Sequence, residues 1–167
     1  PYLDIAGEGF HYRFDCRTGL FAQMAFGGQQ LLDRPMGLNL WRAPTDNDRV
    51  IRAAWERAGY DRAYARAYGI SYAAEGSAVE IRCPMSMAAD GVQKCLTLDT
   101  VWRIFPDGAA EAALYVRRDL EFPELPRFGL RLFLPESFSQ AEYCGLGPAE
   151  SYADKRRAAY YGRFRST

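Results

Sequence analysis

Gln93-Lys94-Cys95-Leu96-Thr97-Leu98-Asp99-Thr100-Val101-Trp102-Arg103-Ile104-Phe105, then Pro106-Asp107-Gly108, then Ala110-Glu111-Ala112-Ala113-Leu114-Tyr115-Val116-Arg117-Arg118, decides the fold class. Two segments read as strands on either side of an Asp-Gly pair, whose tolerance of positive φ makes it a hairpin turn. The pattern extends outward in both directions. Ala65 to Ala74 and Ala78 to Ala88 read as further strands, with turns at Glu75-Gly76-Ser77 and at a second Asp-Gly pair, Asp90-Gly91. Nearer the N-terminus, Phe10 to Asp15 alternates aromatic and polar residues, and Arg17-Thr18-Gly19 supplies a turn. Leu20 to Phe26 then leads through Gly27-Gly28 into a short strand, Gln29 to Leu32. On the other side, Phe122-Pro123-Glu124-Leu125-Pro126-Arg127 is a stiff crossover before strands at Phe128 to Leu134 and Ser139 to Tyr143. Regularly spaced strands with antiparallel turns predict an all-β antiparallel sandwich, and no repeat or composition break divides residues 1–167 into more than one domain.

One short helix interrupts the strands. Asp48 is placed to cap it, Ile51, Ala54, Trp55 and Ala58 recur at helical spacing, and Gly59 ends it. The segment before it, Asp33 to Asp48, reads as a loop without strand. Pro44 fixes its own φ and pushes Ala43 toward extended geometry, so this loop is stiff rather than floppy.

Composition narrows the functions. The chain has 167 residues, 49% apolar and 25% charged, enough for one domain with a sizeable core. Lys plus Arg number 21 and Asp plus Glu number 21, so the balanced charge removes the electrostatic argument for nucleic acid. No apolar run approaches the roughly 18 residues of a membrane span, which argues against a membrane partner. The four cysteines, Cys16, Cys83, Cys95 and Cys144, lack the CxxC spacing of zinc sites. Reduced thiols and a cytoplasmic setting are the expectation, with a Cys83–Cys95 hairpin disulfide as the alternative. The chain starts at Pro1, so any targeting segment is expected to lie upstream.

Catalytic constellations are scarce. A Ser/His/Asp or Cys/His arrangement must use His11, which lies inside an alternating strand with no GxSxG motif anywhere. Gly145-Leu146-Gly147-Pro148 lacks the Lys-Ser/Thr ending of a phosphate loop and reads as a tight strand exit where Cβ atoms would collide. The densest polar segment is Asn39-Leu40-Trp41-Arg42-Ala43-Pro44-Thr45-Asp46-Asn47-Asp48. Asp46 and Asp48, two apart in an extended loop, point the same way, a spacing open to acid/base or calcium chemistry. Neither has a neighbour that raises its pKa, and an EF-hand's further ligands are missing. A helix cap for Asp48 and an Asx-turn for Asp46 or Asn47 are the simpler roles. Trp41, Tyr143 and Tyr152 could stack on a sugar, though each alone is more often a core residue.

This loop, together with Tyr143-Cys144-Gly145-Leu146-Gly147-Pro148-Ala149-Glu150-Ser151-Tyr152-Ala153-Asp154-Lys155, resembles the C-terminal, small-chain-like domain of the multidomain β-galactosidases of glycoside hydrolase family 2 type. Phe14 to Leu20, Leu31-Leu32, Pro35 to Leu38 and Leu125 to Leu130 extend the resemblance, in the right order, over nearly the whole chain. It implies a galactose-mutarotase-like supersandwich, of which residues 1–167 are the N-terminal portion. It implies a parent enzyme that hydrolyses terminal β-D-galactosides through two glutamates on a TIM barrel, neither of which belongs to this domain. The expected role is therefore a non-catalytic accessory domain packed beside the barrel and supporting its mouth, with a stand-alone carbohydrate-binding module as the alternative. Arg42, Asp46, Asn47 and Asp48 carry over as residues that organise a loop near the parent's active site. Trp41, Glu150, Tyr152 and Asp154 carry over as structural or carbohydrate contacts. No metal or cofactor is expected in this chain; any Mg or Na would sit at the parent's barrel. The expected partners are the remaining domains of the parent, a β-galactoside through that parent, and further copies of the chain. Two departures stand out: Arg49-Val50-Ile51 follow the Asp-Asn-Asp triplet where the family commonly has a glycine, and Ser151 and Lys155 replace Asn and Arg.

Overall fold

The computed structural model describes residues 1–149 and 157–166. The chain divides into two compact units, Pro1–Phe133 and Leu134–Thr167.

In the first unit, β1 (Tyr2–Gly7), β2 (Phe10–Asp15), β3 (Leu20–Phe26) and β4 (Gln29–Gln30) form an antiparallel sheet in sequence order. β5 (Arg34–Asn39) follows, then a single 3-10 turn at Asp46–Asp48 and the helix α1 (Arg52–Arg57). β6 (Tyr64–Ala67), β7 (Ser71–Glu75), β8 (Ala78–Ala88), β9 (Leu96–Ile104) and β10 (Ala110–Arg118) build a second antiparallel sheet, ordered β10-β9-β8-β6 with β7 also paired to β8. β11 (Gly129–Phe133) returns to pair with β5. Among the described residues strand makes up 53% and helix 6%, the all-β sandwich that the turn pattern predicts.

The core lies between the two larger sheets. Alternation on β9 turns Leu96, Leu98, Thr100, Trp102 and Ile104 inward, and β8 adds Ile81, Cys83, Met85 and Met87 from beside it. They meet Tyr12 and Phe14 of β2 and Leu20 and Phe21 of β3. A bulge in the β2–β3 pairing leaves Ala22 without an opposite residue, so Phe21 and Met24, three apart, face the same core. The rings of Phe21 and Trp102 meet edge-on at 5.0 Å, and Tyr12 donates its hydroxyl hydrogen to the Gly108 carbonyl at 2.6 Å. Each such side chain contributes about 1.5–3 kcal/mol on burial, which makes this layer the main source of stability.

Two glycines are required by geometry. Gly19 closes the β2–β3 turn at φ +71, where an added Cβ would lie 2.7 Å from Met85 Sδ and 2.8 Å from Cys83 Sγ. Gly59 ends α1 at φ +73, in the left-handed conformation that stops a helix.

Several expectations are corrected. Residues Arg34–Asn39, read as loop, form β5 because β11 supplies a partner 90 residues away that no local pattern announces. The single strand expected over Ala65 to Ala74 is two, β6 and β7, parted at Tyr68-Gly69-Ile70 as the chain moves along β8. Gln29 to Leu32 shrinks to two residues, and β1 had no prediction. The four cysteines are free thiols; β8 sets Cys83 opposite Thr100, not opposite Cys95.

In the second unit, β12 (Ala141–Gly147) and β13 (Tyr160–Ser166) form an antiparallel pair. Arg163 and Arg165 both reach Glu142 across it and hold its carboxyl below the ordinary glutamate range. The Tyr143 and Phe164 rings meet at 5.2 Å, tilted by 33°. The Gly145 to Pro148 strand exit is tight as expected: a Cβ on Gly147 would collide with the Tyr143 hydroxyl and the Phe164 ring. β13 is a further element without a sequence prediction.

Candidate functional site

The Asn39 to Asp48 loop is held from both ends. Asn39 closes its start: its side-chain amide donates to the Trp41 carbonyl at 2.9 Å, and its Oδ1 accepts the Trp41 backbone N–H at 3.2 Å. Asp48 closes its end. Its carboxylate takes a fork of two N–H groups from Arg42, Nη1 to Oδ2 at 2.5 Å and Nη2 to Oδ1 at 2.8 Å. The same carboxylate accepts the Thr45 backbone N–H at 2.8 Å and the Thr45 hydroxyl at 3.0 Å. Asp48 is 8% exposed, so four donors converge on one nearly buried carboxylate. The hydrogen bonds from Arg42 and Thr45 hold its carboxyl far below the ordinary aspartate range. It is a fixed anion and not a proton donor or acceptor near neutral pH.

A second set of bonds fastens this loop and α1 to the proline-rich crossover between β10 and β11. Prolines at 123 and 126 lack N–H groups, so the crossover cannot join a ladder and its carbonyls need side-chain donors. Tyr60 donates its hydroxyl hydrogen to Pro123 O at 2.8 Å, and Trp55 Nε1–H donates to Glu124 O at 2.8 Å. Arg42 Nε–H donates to Pro126 O at 3.2 Å. Arg118 bonds the Phe122 carbonyl and, through Nη2, Glu124 Oε1 at 2.9 Å. Trp55 meets Trp41 edge-on at 6.3 Å and lies 5.2 Å beneath the Arg42 guanidinium. Burial pushes the Tyr60 phenol up to about 12, so it remains a donor over the physiological range. Beside the loop opens a cavity of about 470 Å³ lined by Trp41, Arg42, Tyr60, Asp61, Arg127 and Arg131, among others.

Trp41, Arg42 and Asp48 are therefore brought together, and Asp46 and Asn47 are not. The last two are exposed, and their side chains make no hydrogen bond among the described residues, so the expected Asx-turn does not form. Asp46 and Asp48 diverge instead of pointing the same way, because the 3-10 turn rotates one outward and the other into the Arg42 fork. Nor does Asp48 cap α1, whose N-cap is Ile51 without a side-chain cap; the carboxylate closes the preceding turn on Thr45 instead. Thr45, Asn39 and Tyr60 were missed. Thr45 had a signal, since Thr-x-x-Asp is a capping-box spacing. Glu150, Tyr152 and Asp154 lie outside the described residues. His11 sits 3.5 Å from Asp4 on the exposed face of β2. Among the described residues, no group of three or more His, Cys, Asp or Glu is arranged to hold a metal ion. No helix in them is long and apolar enough to cross a membrane.

The loop's nearly buried carboxylate is thus taken up by Arg42 and Thr45, and the loop and α1 are tied to the proline crossover. The chain matches the Beta galactosidase small chain family over residues 6–167 and belongs to that family. It is 42% identical over 165 residues to a β-galactosidase of Actinobacillus pleuropneumoniae, covering 99% of this chain and 16% of that protein. It is 36% identical over 129 residues to one of Staphylococcus xylosus, covering 77% of this chain and 13% of that protein. A β-galactosidase of Lactobacillus delbrueckii subsp. bulgaricus is 33% identical over 174 residues, 96% of this chain and 16% of the relative. The chain thus spans about a sixth of the length of these relatives.

Proposed function

We propose that this chain is the accessory part of a β-galactosidase, packing beside a catalytic barrel and presenting its locked loop toward the barrel's mouth. The parent would hydrolyse terminal β-D-galactosides, and the remaining domains of the parent would be the chain's partners. The observation that carries the reading is the Arg42–Asp48 fork. It commits the loop's buried acid to a fixed shape, as suits a loop that must meet another surface in one register. Exposed apolar side chains on β11 agree with a covered face: Leu130 and Leu132, two apart on the strand, are 38% and 52% exposed. In this reading any Mg or Na used by the parent belongs to its barrel.

Complementation tests it. A β-galactosidase lacking the corresponding segment is mixed with this chain and assayed on a nitrophenyl β-galactoside. Restored turnover, with the chain alone inert, is the expected result. Turnover by the chain alone that disappears on replacing Asp46 or Asp48 would overturn the accessory role.

A further inference from the structure

The outer face of the second sheet carries a cleft that the locked loop does not use. Tyr64 and Arg66 alternate with the more enclosed Ala65 and Ala67 on β6, and the chain keeps that phase through Tyr68. Two phenol rings and a guanidinium therefore stand on one face of an outer strand. Beside them on β8 the register places Ala88 against Tyr64 and Ser86 against Arg66. Those small side chains leave a trough, which the Asp90 to Lys94 turn walls at one end, giving a cavity of about 460 Å³.

Both rings are fixed in place. Tyr64 donates its hydroxyl hydrogen to Asp90 Oδ1 at 2.8 Å, and the Tyr68 hydroxyl lies 2.8 Å from Ser86 Oγ. The Arg66 guanidinium sits 5.9 Å from the Tyr68 ring centre. Even so, Tyr64 is 51% exposed and Tyr68 62% exposed. A tyrosine whose hydroxyl is bonded while the residue stays more than half exposed offers a ready apolar plane, with little ordering left to impose on binding, and Arg66 lies over the Tyr68 ring. The rim adds donors and acceptors of both kinds in Asp90, Gln93 and Lys94. The Asp90 carboxylate opposes an anionic ligand, and the mixed charge offers no single-sign attraction. A flat, neutral molecule with one C–H face and many hydroxyls satisfies all of these groups together.

We propose that this cleft binds a neutral oligosaccharide, a pyranose ring lying on Tyr64 or Tyr68 with its hydroxyls bonded to Asp90, Gln93 and Lys94. The inference rests on the β-galactosidase reading for the choice of a galactoside as probe. It concerns a surface separate from the Arg42–Asp48 loop.

The test is a ¹H–¹⁵N NMR titration of the chain with lactose and with a β-1,4-linked galactotetraose. Saturable shifts at the amides of Tyr64, Tyr68 and Gln93 are expected. Tyr64→Ala and Tyr68→Ala should each weaken the affinity about tenfold, the loss of one stacked ring. Tyr64→Phe, which keeps the ring, should cost less than about threefold. Both tyrosines are more than half exposed, so the variants should retain the parent spectrum elsewhere. No shift at these residues with either sugar, shifts centred on Trp41 and Arg42 instead, or affinity unchanged in both alanine variants would each overturn the proposal. Complementation reads out separately. A chain that restores hydrolysis but ignores both sugars defeats this inference alone. One that binds sugar through Tyr64 and Tyr68 but restores nothing defeats the accessory role alone.

Discussion

Tyr60→Phe removes one oxygen and nothing else. Tyr60 is 2% exposed and its hydroxyl bonds Pro123 O at 2.8 Å, so the variant leaves the ring packed and the carbonyl without its donor. Pro123 is half-buried, and water recovers part of the loss. The cost should be about 1–2 kcal/mol, toward the low end of what an unsatisfied acceptor costs. For a chain of this size that is a fall in Tm of roughly 2–8 °C, read by differential scanning calorimetry at neutral pH. The same hydroxyl predicts a pH signature. Burial raises the folded phenol from 10.0 to about 12. A group whose folded pKa is raised contributes stability that is present below the unfolded pKa and lost as pH rises through the folded one. Wild type should therefore lose about 1.4 kcal/mol through Tyr60 by pH 11, while the phenylalanine variant loses none by this route. The gap between them should narrow between pH 9 and pH 11 and nearly close at the upper end. A constant gap, or a variant as stable as wild type at neutral pH, would refute the assignment of this bond as a pin on the crossover.

Four other outcomes follow from the same geometry. Asp48→Asn breaks the fork and leaves the Arg42 charge without its anion, and hydrogen exchange at Thr45 N–H should quicken by about tenfold or more. Because the Asp48 carboxyl is held far below its ordinary value, its contribution is present above an unfolded pKa of about 4 and fades only as pH falls below that. Thr45 protection in wild type should thus survive at pH 5, and early loss there would count against the clamp. Arg42→Lys keeps the charge but loses the two-pronged geometry and the Nε bond to Pro126 O, and both Tm and complementation by that variant should fall. Phe21→Ala empties a fully buried site between the sheets and should cost about 3–5 kcal/mol, enough to lower the denaturation midpoint severely in urea titration. Gly19→Ala forces a left-handed φ on a Cβ with no room beside Met85 and Cys83, and a Tm within about 1 °C of wild type would contradict the packing described.

Much of this molecule is legible in the order of its residues. The two Asp-Gly turns, the alternation along β2, β8, β9 and β10 and the glycine stop at Gly59 are local signals, set by φ preferences and side-chain periodicity within a few residues. They suffice for an all-β antiparallel fold and one short helix, and the motif around Trp41 to Asp48 suffices to recognise the family. What the sequence does not carry is any term that depends on a distant partner. β5 exists because β11 arrives to satisfy its backbone, and the bulge that turns both Phe21 and Met24 inward is a property of the β2–β3 pair. Asp48 is a nearer case: its partners Arg42 and Thr45 lie only six and three residues back, and the charged fork takes the carboxylate away from the following helix. The Tyr60, Trp55 and Arg42 bonds to the crossover span 63, 69 and 84 residues of sequence. Local preference chose the elements; tertiary contact chose which polar groups would be buried, because a buried donor or acceptor must find its partner wherever the chain happens to bring one.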